Sequence, residues 1–150
     1  MSVWFEGTND IACDIQQAKL AAADPGEYFA AIVRLLPGMT SVDLVEQDAD
    51  SVTIRTNEGL MVRSGISTRE EPDGVVMEFD EQYQAGSRVT VNTHFMDEFT
   101  ASDSGMAHRL VMSNVAAPGF LGFFYRKFGG SKMGKGYLTA YKAHFERRTD

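Results

Sequence analysis

The chain contains one cysteine, Cys13, in 150 residues, so no intrachain disulfide can form and nothing demands an oxidising compartment. Three histidines and no C-x-x-C spacing leave no ligand set for structural zinc, and no cofactor is implied. Long apolar runs are missing too. The longest, Phe120 to Tyr125, falls far short of the roughly 20 residues that a membrane helix needs. Residues 1–10 carry acids and lack the apolar core of a secretion signal, so a cytoplasmic location is expected. Gly129-Gly130-Ser131-Lys132 has neither P-loop spacing nor a preceding strand, which removes the obvious phosphate motif.

The chain has an ordinary globular composition, 43% hydrophobic and 23% charged, and a length suited to one domain, residues 1–150. Its net charge of −7 is unevenly spread. Residues 118–150 hold seven basic side chains against two acids, a balance of +5, which leaves −12 on the remainder. An acidic body of this kind repels phosphates and argues against nucleic acid as a partner. The basic segment 120–136 is open to two readings: a solvated helix face, or a contact for an acidic partner or a membrane surface. No oligomeric state follows from the sequence.

Hydrophobic periodicity orders the chain. Residues 3–13 read as a strand. Asp14 caps a short alanine-rich helix from Ile15 to Ala23, which Asp24-Pro25-Gly26 breaks. A second helix, from about Glu27 to Leu36, puts Tyr28, Ala31, Ile32 and Leu35 on one stripe and ends at Pro37-Gly38. From Ser41 to Ala116 the period is two, with turn signals at 48–50, 57–59, 72–74, 85–86 and 102–105, which predicts a six-strand antiparallel meander. A three-residue loop at Asn57–Gly59 would set Ile54 opposite Val62. A loop around Ser102-Asp103 would set Phe99 opposite Met106 and Asp97 opposite His108. After Pro118 the period returns to that of a helix, interrupted by Gly129, Gly130, Gly134 and Gly136. The expectation is an irregular first half and a firm helix from about Lys135 to Arg147. Only this long stripe is expected to cover the sheet's inner face, because the two early helices are short. The fold class expected is α+β: a seven-stranded curved antiparallel sheet, in the order β-α-α-β6-α, wrapped on a long C-terminal helix.

That element order resembles the START-like, or SRPBCC, helix-grip superfamily, and some of the wording resembles its polyketide cyclase/dehydrase branch. Ile11, Cys13, Ala18, Ala22 and Asp24-Pro25 keep the branch's opening spacing. Leu36-Pro37-Gly38 followed by Val42 looks like its entry into the second strand, and Leu138, Tyr141-Lys142 and Phe145-Glu146 look like its ending. Lys19 stands where an aromatic is often found, and the small Ala18 and Ala22 point to an enlarged pocket or mouth. The resemblance implies a cavity between sheet and last helix.

Polar side chains on the apolar face are informative, because an unpartnered one costs roughly 1–3 kcal/mol when buried. By alternation these are Ser64, Glu81, Tyr83, Thr93, Asp97, His108 and Asn114; His94 falls on the outer face. A carboxylate beside an imidazole raises its pKa and fixes its tautomer, so Asp97 and His108 form the candidate acid–base pair. The plainer reading of the two is a satisfied cross-strand pair. Candidate ligand-lining residues are Ser64, Met77, Phe79, Tyr83, Thr93, Phe95, Phe99, Met106, Met112, Phe124, Phe128, Tyr137 and Tyr141, many of which would serve equally as core. Three functions stay open. The chain binds or transports a small hydrophobic molecule (lipid, isoprenoid or polyketide-like). Or it is a cyclase or dehydratase working through Asp97 and His108. Or it is an interaction module that docks through residues 120–136.

Overall fold

The computed structural model describes residues 2–85, 89–117, 119 and 130–147. In chain order the elements are β1 (Val3–Ile11), α1 (Ile15–Ala23), α2 (Pro25–Arg34), β2 (Val42–Gln47), β3 (Val52–Thr56), β4 (Gly59–Glu71), β5 (Gly74–Ala85), β6 (Val89–Ser102), β7 (Gly105–Ala116) and α3 (Gly130–Arg147). The seven strands form one antiparallel sheet in the order β1-β7-β6-β5-β4-β3-β2, so the meander β2 to β7 is continuous and β1 closes it beside β7. Helix α3 packs mainly on β1. This is the sheet and closing helix expected from the periodicities, in the helix-grip arrangement that the resemblance implies.

Local chemistry sets the helix ends. The Asp14 side chain accepts a 2.8 Å bond from the Gln16 backbone N–H, satisfying an orphan donor of α1. Pro25 occupies the first turn of α2, where no N–H is needed, and Glu27 and Arg34 complement its dipole. The apolar face of α2 differs from the expected stripe: Phe29, Ile32 and Val33 are fully buried, while Ala31 and Leu35 are only partly covered. The early helices therefore do cover part of the sheet. Phe29 stands 4.7 Å from the Phe79 ring of β5.

Two hairpins depart from the expected registers. At β3–β4 the turn has two residues, not three, and pairs Ile54 with Met61 and Thr53 with Val62. The Thr56 hydroxyl accepts from the backbone N–H groups of Glu58 (3.0 Å) and Gly59 (3.1 Å), which tightens the turn. A one-residue slip exchanges the faces of a strand. Met61 and Arg63 therefore point inward, and Ser64 lies exposed on the outer face. At β6–β7 the turn is Asp103-Ser104, and the register is shifted by two: Phe99 pairs with His108, Asp97 with Leu110, and Ala101 with Met106. A shift of two keeps every side chain on its expected face. A bulge between the partners of Asn92 and His94, with Asn114 at φ 54°, turns Asn114 outward and buries Ser113 instead.

The glycines of α3 do not break it. At Gly134 the helix lies close against β1, since a Cβ there would overlap the Phe5 ring. Gly7 on β1 is the counterpart, with a Cβ position 2.8 Å from Leu138 Cδ1. At Gly136 an added Cβ would meet only Pro37 Cδ, at 3.6 Å. Gly134→Ala is therefore expected to lower the unfolding free energy by about 1–3 kcal/mol through overpacking. Gly136→Ala should raise it by about 1 kcal/mol through helix propensity. Urea denaturation of the two variants checks the opposite signs; destabilisation by both would mean the helix needs flexibility rather than close approach.

Candidate functional site

The inner face of the sheet has a filled end and an open end. At the filled end lie Met77, Phe99, Met106, Leu110, Tyr141 and Phe145, together with the buried polar residues Asp97 and His108. His108 Nε2 is 2.7 Å from Asp97 Oδ1, and the Tyr141 hydroxyl donates to Asp97 Oδ2 at 2.8 Å. The imidazole stacks on Phe99, its direct cross-strand neighbour, at 4.4 Å between centroids and 7° between planes. Its Nδ1 has no hydrogen-bond partner among the described residues. Burial and the Asp97 charge hold the Tyr141 phenol well above its ordinary pKa, so it stays a proton donor. The expected pair thus exists, as a diagonal contact completed by a helix tyrosine.

At the open end is a cavity of about 310 Å³, within the range of small-molecule sites. Its described apolar lining includes Met61, Val91, Phe95, Met112 and Met133, with Leu36, Pro37 and Met39 from the segment after α2. Gly136 and Tyr137 of α3 form the roof, and Glu58 and Lys132, both exposed, stand at the rim. The polar lining is small: Glu81, Tyr83 and Thr93. The Tyr83 hydroxyl donates to Glu58 Oε1 at 2.7 Å and lies 2.9 Å from the Thr56 hydroxyl, which ties the β3–β4 turn to the cavity. Burial raises the Tyr83 pKa and the Thr56 bond lowers it; the Glu58 bond and charge add to the rise, and the balance is strongly upward.

Behind this lining sits Arg63, fully buried. Arg63, Glu81 and Thr93 are successive Cα partners across β4, β5 and β6. The Arg63 guanidinium reaches Glu81 Oε2 from Nε at 3.0 Å and from Nη2 at 2.9 Å, and Nη2 also donates to the Tyr137 hydroxyl at 3.0 Å. Its Cζ lies 4.5 Å from the Phe29 ring centroid and 4.6 Å from that of Phe79, an aromatic cradle that favours a desolvated cation. Burial opposes the charge, but Tyr137 and Glu81 outweigh it, and the guanidinium stays protonated.

Of the expected ligand-lining residues, Tyr83, Thr93, Phe95, Met112 and Tyr137 do line the cavity. Met77, Phe79, Phe99, Met106 and Tyr141 are packed in the core and are not among the described lining residues. Ser64 is on the outer face, and Phe124 and Phe128 lie outside the described residues. Nor are Asp97 and His108 in the described lining. Ala18, Lys19 and Ala22 do not line it either; Lys19 instead bonds the Glu71 carbonyl at 3.0 Å. Arg63, Met61 and Glu58 were missed. The signal for all three was Thr56, an acceptor side chain just before the turn.

On the outer face His94 lies between Asp80 and Glu78, 2.9 Å from each. Burial opposes its protonation, but the two carboxylates outweigh that and raise its pKa. Among the described residues no group of three or more His, Cys, Asp or Glu side chains is arranged to hold a metal ion. No described helix is long and apolar enough to cross a membrane.

No family model and no curated protein matches the chain. Solved structures do resemble it. A protein from Mycobacterium smegmatis aligns at a TM-score of 0.60 and 15% identity, covering 92% of this chain and 87% of that one. A conserved protein from Geobacillus kaustophilus aligns at 0.64 and 12%, covering 95% and 94%. The Zhui aromatase/cyclase from Streptomyces sp. R1128 aligns at 0.50 and 12%, covering 97% and 94%. Identities this low establish a shared fold and nothing finer.

Proposed function

We propose that this protein binds a small, largely apolar molecule in the cavity between the open end of the sheet and the first half of α3. The observation that carries the reading is the cavity itself: about 310 Å³ of space, walled by apolar side chains with a few convergent polar groups, beside an end of the sheet whose described inward side chains are buried. The aromatase/cyclase among the solved structures has the same fold, which supports a ligand between sheet and helix without naming it. Chemistry through Asp97 and His108 finds less support. The pair is buried, with the imidazole packed against Phe99 and Tyr141, and neither residue is in the described lining of the cavity. Of the basic segment 120–136 only its last seven residues are described, and in them Lys132 and Lys135 are exposed, as a solvated helix face also requires.

A neutral fluorescent probe, phenylnaphthylamine, tests the binding reading. Its emission should rise and shift to shorter wavelength on entering the cavity. Gly136→Leu projects a side chain from the roof beside Pro37 and should weaken probe binding by about tenfold or more, equivalent to about 1.4 kcal/mol, with no loss of stability. Unchanged affinity in that variant would place the probe elsewhere and remove the reading.

A further inference from the structure

The polar wall of the cavity has a direction, and it restricts the chemistry of the ligand. On the sheet side the polar groups of the wall include Glu81 and Thr93, side by side on β5 and β6 and both buried. The Arg63 hydrogen bond from Nε and the ion-pair contact from Nη2 both fall on Glu81 Oε2, which leaves Oε1 without a partner among the described residues, on a residue that lines the cavity. Within the described wall, the Thr93 hydroxyl is the uncommitted buried donor, and the other donors are spent or at the rim. Arg63 has no exposed surface, and its Nε and Nη2 are committed to Glu81 and Tyr137. Arg63 Nη1 has no hydrogen-bond partner among the described residues, but it too is fully enclosed. The Tyr83 hydroxyl donates to Glu58. Lys132, the cation in the described lining, is exposed at the rim.

An anionic headgroup entering this space would give up its water and meet a carboxylate oxygen, with the single hydroxyl of Thr93 to donate to it, an under-compensated desolvation. A neutral hydroxyl or N–H would instead find a charged acceptor, and hydrogen bonds to ionised groups are about twice as strong as neutral ones. Resting on the cavity reading above, we infer that the cavity selects a neutral ligand whose buried end carries a hydrogen-bond donor, directed at Glu81 and Thr93, and that it excludes carboxylates and phosphates. Fatty acids and phospholipid headgroups are thereby ruled out as deep occupants, while alcohols, phenols and amides of similar size fit. An acid could approach only with its head held outside at Lys132.

The test is displacement of phenylnaphthylamine from the full chain by three naphthalenes substituted at the same ring position: naphthol, its methyl ether and naphthoate, at neutral pH. Naphthol should displace the probe at about tenfold lower concentration than naphthoate, and at several-fold lower concentration than the ether, which keeps the oxygen but lacks the donor. Thr93→Val should narrow the gap between naphthol and ether. Glu81→Gln should let naphthoate approach naphthol; because that change removes the counterion of Arg63, the wild-type ranking and Thr93→Val carry the test if the variant does not fold. Naphthoate binding as well as naphthol, or naphthol and ether binding alike, would overturn the inference while leaving the cavity reading intact. A probe that fails to bind, or binds regardless of Gly136→Leu, would overturn the cavity reading first.

Discussion

Replacing Arg63 by methionine is expected to lower the unfolding free energy by about 3–5 kcal/mol, which a urea denaturation series would show as a large fall in the transition midpoint at unchanged slope. The cause is the carboxylate left behind. Glu81 is buried and takes a hydrogen bond and an ion-pair contact from Arg63 on one oxygen, so losing the guanidinium leaves an uncompensated charge in an apolar surrounding. Tyr137 loses its bond from Nη2 as well, and three aromatic rings lose the group packed against them. The double variant Arg63→Met/Glu81→Leu removes both charges and should recover most of the lost stability, since apolar replacements of buried pairs are often neutral or better. If the single and double variants are equally unstable, packing rather than charge pairing explains the effect.

The second large effect is expected at Asp97. Asp97→Ala strips the partner from His108 Nε2 and from the Tyr141 hydroxyl at once. Each is a fully buried polar group, and leaving both unsatisfied should cost about 2–5 kcal/mol. Affinity for phenylnaphthylamine in the variant that remains folded should stay within about twofold of the parent, because Asp97 is not part of the described cavity wall. Loss of probe binding with stability retained would reverse this and return Asp97 to the site. The contrast with Gly136→Leu, which should spare stability and remove binding, separates the two ends of the inner face in one set of measurements.

How much of this was legible beforehand depended on the period of the strand. The meander, the opening strand, the capped α1 and the final helix all follow from periodicity and turn residues, and they are present. The β6–β7 turn was read two residues off, and nothing on the inner face was lost, because two is the period of a strand. Asp97 and His108 still met, along a diagonal. The β3–β4 turn was read one residue off, and that reversed the strand. Leu60, Val62 and Ile66 outweigh Met61 and Arg63 in any hydrophobic count, so the count chose the wrong face. Arg63 was legible only through its partners: the inward Glu81 had no cation until the turn was corrected. The glycines of α3 misled for a different reason, since Gly134 answers to Phe5 on a strand well over a hundred residues earlier in the chain.

Tyr137 and Tyr141 are one helical turn apart, and each hydroxyl is tied to a different buried group, Tyr137 to Arg63 and Tyr141 to Asp97. Sliding α3 along its axis would break both ties together, and even a full turn, about 5.4 Å, would re-form only one of them, because Met133 or Phe145 would then stand in the other place. The roof therefore has one detent rather than a continuous travel. The space beneath it is a gauge of fixed bore, and what play it retains belongs to the thioether side chains of Met61, Met112 and Met133 in its walls.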